Sequence, residues 1–400
     1  MRLLLGAFGD PGHAFPMIAL GRALRAAGHE VTLQTARQWE QVVRGEGLAF
    51  AAAPEYAVFP TREAPLKPYQ AVLRATDETQ PLVEQCDPQV VVHDILTLAP
   101  ALAAERAGVK VATLVPHVDP RTAPGAPPYS VGALMPRTAF GRKLWGTLRP
   151  ATNRGLELGR AELNETRRRL GLAAVAHLHS GLSRQLTLVA SFPALEYPRP
   201  AEAATEIIGP LIWEPPTGPV ALPAGDGPLV LVAPSTAQDP QHSLLRASIR
   251  GLGELSGVRV LATSNRRPLS EPIELPANVT LVEWISYAQT MSHCDVVINH
   301  GGHGTLARVL ASGAVPVVIP AGGDQAENAA RVAWAGAGLR IAPRLASPRA
   351  IRGATERALR EPSLRGAARQ FEAWHGAHDA GARATELIER LADAPTQRPR

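Results

Sequence analysis

Only three lysines, Lys67, Lys110 and Lys143, stand in 400 residues, so nearly all of the 41 basic side chains are arginine. Scarce lysine beside abundant alanine, glycine and proline points to a GC-rich genome, and a pI of about 9.6 partly reflects that bias. Basic side chains outnumber acidic ones 41 to 36. They are scattered, with no run of like charge long enough to track a phosphate backbone, which argues against nucleic acid as a partner. The two cysteines, Cys86 and Cys294, lie far apart. A disulfide framework or zinc site therefore has no support, and a reducing cytoplasm is the expected location. The N-terminus lacks the charged region, apolar helix and small-residue site of a signal peptide. No apolar stretch approaches the ~20 residues a membrane span requires, so a soluble protein without a membrane span is expected.

Four hundred residues exceed one ordinary core, and alternating strand and helix patterns place the chain in the α/β class with two domains. The proline- and glycine-rich stretch Gly209 to Pro228 reads as a connector. It divides the chain into a first domain over 1–208, a linker over 209–228 and a second domain over 229–400.

The stretch with most chemistry runs from Cys294 to Ala330. Asp295 to Asn299 reads as a strand buried on both faces of a parallel sheet. His300-Gly301-Gly302-His303-Gly304-Thr305 then turns into a helix. Glycines there let backbone N–H groups approach a ligand, and the first helical turn leaves such groups unpaired, which suits a phosphate. Thr305 offers a hydroxyl, and His300 and His303 offer N–H donors and, when protonated, charge. After the strand Val315 to Pro320 comes Gly322-Gly323-Asp324-Gln325, where Asp324 and Gln325 suit sugar hydroxyls at the carboxyl end of a strand.

In the first domain, strands at Arg2 to Phe8, Val31 to Gln34, Leu48 to Ala52, Val90 to His93 and Val109 to Val115 feed loops that should converge on one sheet edge. Among those loops are Gly9 to His13, His93-Asp94 and Pro116-His117. The irregular stretch Pro116 to Arg137, with Tyr129, Leu134 and Met135, reads as a pocket wall. Phe15 and His117 join them as candidates for holding a substrate. The segment Pro54 to Pro68 is irregular, and Leu144 to Leu170 reads as helical. One long last helix, Leu364 to Leu391, reaches back across the cleft, ahead of a frayed tail from Ala392 to Arg400.

HGGHGT, followed by VPVVIP and GGDQAENA, resembles the nucleotide-sugar signature of family-1 glycosyltransferases, particularly bacterial enzymes that decorate natural products. The resemblance covers most of the chain. It implies the GT-B arrangement, two Rossmann-like domains facing across a cleft, with a C-terminal helix packed on the first domain. It also implies that His13, in a Gly-His pair at a helix mouth, is the general base, and that Asp94 is its carboxylate partner. The helix N-terminus is expected to keep the His13 ring neutral. Asp10 is a minor rival for the base, and simple capping by His13 and by Asp94, at a helix beginning near Ile95, is the structural alternative. On the donor side the resemblance implies Trp284 as a base-stacking platform together with Ile285, Ser235 facing the diphosphate, and His300 and Thr305 on the phosphate nearest the sugar. The family's proline and glutamine after that tryptophan are Ser286 and Tyr287 here.

No D-x-D triplet occurs, so no metal is expected, and no cofactor beyond the nucleotide diphosphate sugar. The implied reaction is inverting transfer of a sugar from a dTDP- or UDP-sugar to a hydroxyl of a small apolar aglycone; a homodimer is left open. Many relatives that use UDP sugars carry a glutamate eight residues after the signature histidine, where Arg308 stands here. Arginine has no acceptor for ribose hydroxyls, so dTDP donors, and with them deoxysugars, are expected. Two rivals are a nucleotide-sugar epimerase of GT-B architecture and a non-catalytic helper subunit.

Overall fold

The computed structural model describes all residues except 55–67, 203, 219, 236–240, 270 and 396–400. Among the described residues the strands form two parallel sheets. The first contains β1 (Arg2–Gly6), β2 (Glu30–Thr35), β3 (Ala49–Ala52), β4 (Val90–Asp94), β5 (Lys110–Val115), β6 (Leu186–Val189) and β7 (Thr205–Ile207), in the order β3-β2-β1-β4-β5-β6-β7. The second contains β8 (Leu229–Ala233), β9 (Arg259–Thr263), β10 (Val279–Val282), β11 (Val296–Asn299), β12 (Val315–Val318) and β13 (Leu339–Arg340), in the order β10-β9-β8-β11-β12-β13. Central strands such as LLLG, VVVHD and LVLVA are buried on both faces, as parallel sheets covered by helices require. In each sheet the first strand pairs with both its successor and a later one, so a crevice opens at the carboxyl ends where the order reverses.

The helices of the first half are α1 (Pro11–Ala26), α2 (Glu40–Gly45), α3 (Pro68–Cys86), α4 (Ala99–Arg106) and α5 (Ala139–Arg169). Those that follow are α6 (Ser243–Leu252), α7 (Tyr287–Thr290), α8 (His303–Ala311), α9 (Asp324–Trp334), α10 (Pro348–Arg360), α11 (Pro362–Ala377) and α12 (Ala380–Asp393). The expected single last helix is two. His378 leaves helical geometry at φ −132°, and Asp379 caps α12 by accepting from the Ala382 N–H at 2.9 Å. α11 stays with the second half, against α8 and β12, whereas α12 packs on α1 and β4 to β6. Its Ala380, Ala384, Leu387 and Ile388 enter the first core with Leu20, Leu24 and Val92.

Other differences are local. β7 and β13, three and two residues long, were not foreseen, because so short an edge strand has no periodicity of its own. α4 begins at Ala99 rather than near Ile95, since Asp94 holds the Leu96 N–H and the Thr97 hydroxyl in a turn first. Nearly all of Pro54 to Pro68, and the tail beyond Pro395, fall outside the described residues; α12 keeps residues 392 and 393 helical.

Candidate active site

β1 and β4 are neighbours in register, Gly6 opposite His93, so the loop after β1 and the end of β4 meet. There His13 Nδ1 lies 3.2 Å from Asp94 Oδ1. Asp94 is fully buried and accepts from the Phe8 N–H, from Leu96 N–H at 2.6 Å and from the Thr97 hydroxyl at 3.1 Å. Burial alone would raise its pKa, but His13 and those N–H donors hold it below the usual carboxylate range. Asp94 is therefore an anion with a fixed orientation.

His13 shows the opposite balance. Burial lowers its pKa, yet the hydrogen bond and charge of Asp94, aided by Asp10 and Asp324, raise it above the ordinary value. The adjacent carboxylate thus favours the protonated ring, the direction opposite to that expected of a helix N-terminus. Asp10 is occupied as the cap of α1, accepting from the Gly12 N–H at 2.7 Å.

Beside this pair, the His117 ring stands edge-on to His13 at 6.4 Å and stacks on Tyr129 at 5.8 Å. Its Nδ1 lies 2.7 Å from the Val118 carbonyl, to which it donates, and burial keeps the ring neutral. Phe15 packs edge-on against Trp39 and Trp213, at 5.1 Å from each, and lines a narrow cavity with Pro116, His303, Gly304 and Arg308. Two pocket-wall residues go elsewhere. Leu134 is exposed, and Met135 packs on Ala123, Ala126 and Tyr197. Their stretch folds over the second half: Gly132, at φ +66°, approaches Ala326 so closely that a Cβ would lie 2.5 Å from that residue's own Cβ, and Arg340 donates to the Gly132 carbonyl at 2.6 Å.

Across the cleft, Asn299 ends β11 and accepts from the Gly301 N–H at 2.9 Å. Gly301 needs φ +87°, and a Cβ there would meet Val318 at 2.8 Å, so only glycine fits. Gly302 caps α8 without a side chain, which leaves the N–H groups of the first turn, through half-buried Gly304 and Thr305, for a ligand. The histidines depart from expectation. His300 folds over Gly302, its Nε2 2.5 Å from where a Cβ would stand, and burial lowers its pKa. His303 places Nε2 3.2 Å from the Ala190 carbonyl in the first half, and burial lowers its pKa to about 4. Burial thus favours the neutral form of both rings, and His303 also links the two halves.

Asp324 opens α9 and is exposed; its charge acts on His13 and His117 as well as on His300, so it faces the first half. Gln325 is buried and accepts from the Ala321 N–H at 2.9 Å. Ser235 is buried at the end of β8; the Thr236 beside it lies outside the described residues. Ile285 turns its side chain into the second core, so only its backbone is available to a base. Trp284 is half-buried, with the Arg266 guanidinium 4.7 Å from its ring centroid.

Three groups escaped the sequence reading. Arg266 follows Asn265 in left-handed backbone, φ 59° after 53°. Glu214, in the connector, accepts from the Ser286 hydroxyl at 2.5 Å and the Ala288 N–H at 3.1 Å. Arg331 of α9 is buried against Glu196 at 2.7 Å and Glu327 at 2.8 Å, and donates to the Asp119 carbonyl at 3.2 Å. Each depends on how one half or loop meets another, which no local pattern encodes. Among the described residues no group of three or more His, Cys, Asp or Glu side chains converges as a metal site requires, and no helix is long and apolar enough to cross a membrane.

Residues 249–392 match the family model described as erythromycin biosynthesis protein CIII-like, C-terminal domain. The chain is 28% identical to 4'-demethylrebeccamycin synthase of Lentzea aerocolonigenes, across 98% of this chain and 99% of that one. Among solved structures, the glycosyltransferase of kitacinnamycin superposes with a TM-score of 0.78 at 21% identity, covering 97% of this chain and 98% of that one. The glycosyltransferase VinC, solved in complex with dTDP, superposes at 0.71 and 21% identity, over 98% and 100%. The fold is GT-B, and the resemblance carried by HGGHGT extends to relatives along the whole chain.

Proposed function

As a homologue of antibiotic glycosyltransferases, this chain, we propose, moves a sugar from a nucleoside diphosphate to a hydroxyl of a small natural-product aglycone, with inversion. The division into an acceptor part over 1–208, a connector over 209–228 and a donor part over 229–400 belongs to the same reading. The observation that carries it is His13 held by a buried, anionic Asp94 at the mouth of α1, with the uncapped first turn of α8 in the other half.

With Nδ1 engaged by Asp94, His13 turns Nε2 to the acceptor. The acceptor oxygen attacks the anomeric carbon as its proton passes to Nε2. The bond from that carbon to the phosphate oxygen breaks, and the diphosphate leaves with the electron pair. Asp94 balances the imidazolium that forms. The N–H groups of α8 and the Thr305 hydroxyl meet the developing negative charge as fixed dipoles. His300 and His303, neutral here, act at most as hydrogen-bonding groups and as packing. Trp284 supplies a stacking surface for the base, and Asp324 and Gln325 hold sugar hydroxyls.

A thymidine donor is favoured because Arg308 offers only donors where a carboxylate would serve a second ribose hydroxyl. The relative solved with dTDP supports the same choice. Incubation with dTDP- and UDP-sugars, alone and with a panel of aglycones, tests the reading by mass spectrometry and by the anomeric configuration of the product. Transfer that requires aglycone and inverts the anomeric centre is expected; turnover of the sugar nucleotide without an acceptor would favour an epimerase. Excess chelator should leave the rate nearly unchanged, and loss restored by magnesium would overturn the electrostatic account.

A further inference from the structure

A nucleoside diphosphate bound as proposed runs from a base on Trp284 to phosphates at the first turn of α8. Its pentose then lies between these two places, and a pentose presents hydroxyls that need acceptors. A carboxylate that reaches the neighbourhood of both places comes from neither element. Glu214, in the connector, accepts through Oε1 from Ser286 and from Ala288 N–H, two and four residues beyond Trp284. Its Oε2 faces Arg308, on the second turn of α8, with Nε at 3.6 Å, beyond hydrogen-bond reach.

Arg308 is committed elsewhere. One guanidinium nitrogen donates to the Gly304 carbonyl at 2.7 Å and the other to the Trp213 carbonyl, while its Nε is buried without an acceptor. The arginine thus clamps the connector against α8 and holds the carboxylate without saturating it. Glu214 keeps 18% of its side chain exposed, and an ionised carboxylate has about four acceptor positions.

We infer that Glu214 is a specificity-determining residue whose Oε2 accepts a hydrogen bond from the 3′-hydroxyl of the donor nucleoside. Arg308 is the positioning residue that holds it there. This rests on the donor reading above. It makes the connector between the halves part of the nucleotide site, so a bound nucleotide also ties the connector down.

Calorimetric titration of the full chain with dTDP and with 3′-deoxythymidine diphosphate tests it, on the parent protein and on Glu214→Gln. A hydrogen bond to a carboxylate is worth about tenfold or more in affinity, so the parent should prefer dTDP by that factor. Glu214→Gln should narrow the preference to about twofold. Each variant is its own control, because both ligands meet the same folded protein. A preference undiminished in Glu214→Gln, or absent in the parent, overturns the assignment. A parent that binds neither nucleotide overturns the donor reading itself, and this inference with it.

Discussion

A histidine that is to take a proton must be neutral beforehand, and the same Asp94 that orients His13 makes that harder by raising its pKa. The acid limb of kcat/KM is therefore expected above pH 6.5, with activity falling as pH drops through it and His13 becomes charged. Asp94→Asn removes the negative charge that raises the pKa while burial remains, so the limb should move to lower pH as the rate falls. A limb that stays in place in Asp94→Asn would mean that another group titrates. His13→Ala should lose ~10²–10⁴-fold in kcat while dTDP still binds, measured by steady-state kinetics beside calorimetry; activity within a few-fold of the parent would remove His13 from the chemistry. The nearness of the two was legible because the loop after β1 leads into α1, which carries His13, and β4, which ends at Asp94, is β1's neighbour; the roles expected of them came from the family resemblance. Arg266 and Glu214 were not legible, since what each touches is set by the meeting of separate segments.

Among the elements, α12 is the one whose partner lies farthest from its own sequence neighbours. Ile388 is fully buried in the first core, so Ile388→Ala should cost about 2–5 kcal/mol. Asp379→Ala removes the cap of α12 and should cost about 1 kcal/mol. Urea unfolding measures both, and a change of less than a few tenths for Ile388→Ala would deny that α12 belongs to that core. Sequence patterns located the central strands because apolar runs buried on both faces leave no ambiguity. They joined α11 to α12 because His378-Asp379 contains neither glycine nor proline to mark the break. They placed the start of α5 at Leu144, whereas the helix begins at Ala139, where Thr138 caps it by accepting from the Gly141 N–H at 3.1 Å. The placement of Leu134 and Met135 was not legible for a different reason: their stretch, through Gly132 and Ser130, packs on a half of the molecule that local reading does not see.

At the scale of the whole molecule, acid should act through buried histidines. His303 and His179 have pKa values lowered to about 4 by burial, and burial also lowers those of His93, His117 and His300. In the unfolded chain each takes a proton near pH 6.5, whereas the folded state resists. Stability should therefore fall as pH drops from 6.5 toward 4, and His13, shifted upward, opposes this only in part. Thermal melts followed by circular dichroism between pH 7.5 and 5 check it; a Tm flat across that window would contradict the shifts. Between the halves, Arg331→Ala would leave Glu327 buried without its cation and Glu196 with only the more distant Arg199 at 3.7 Å, at about 3–5 kcal/mol, a loss readable in the same melts. The return of α12 to the first half has a mechanical consequence. The polypeptide passes between the halves twice, once through the connector and once at His378-Asp379, and Pro210 to Ile212 line one groove with residues 375–381. A door hung on two pins swings about the line that joins them. Were the halves to part, these two crossings would confine them to a rotation about the line that joins them, and α8 and His13 would separate and meet again on one arc.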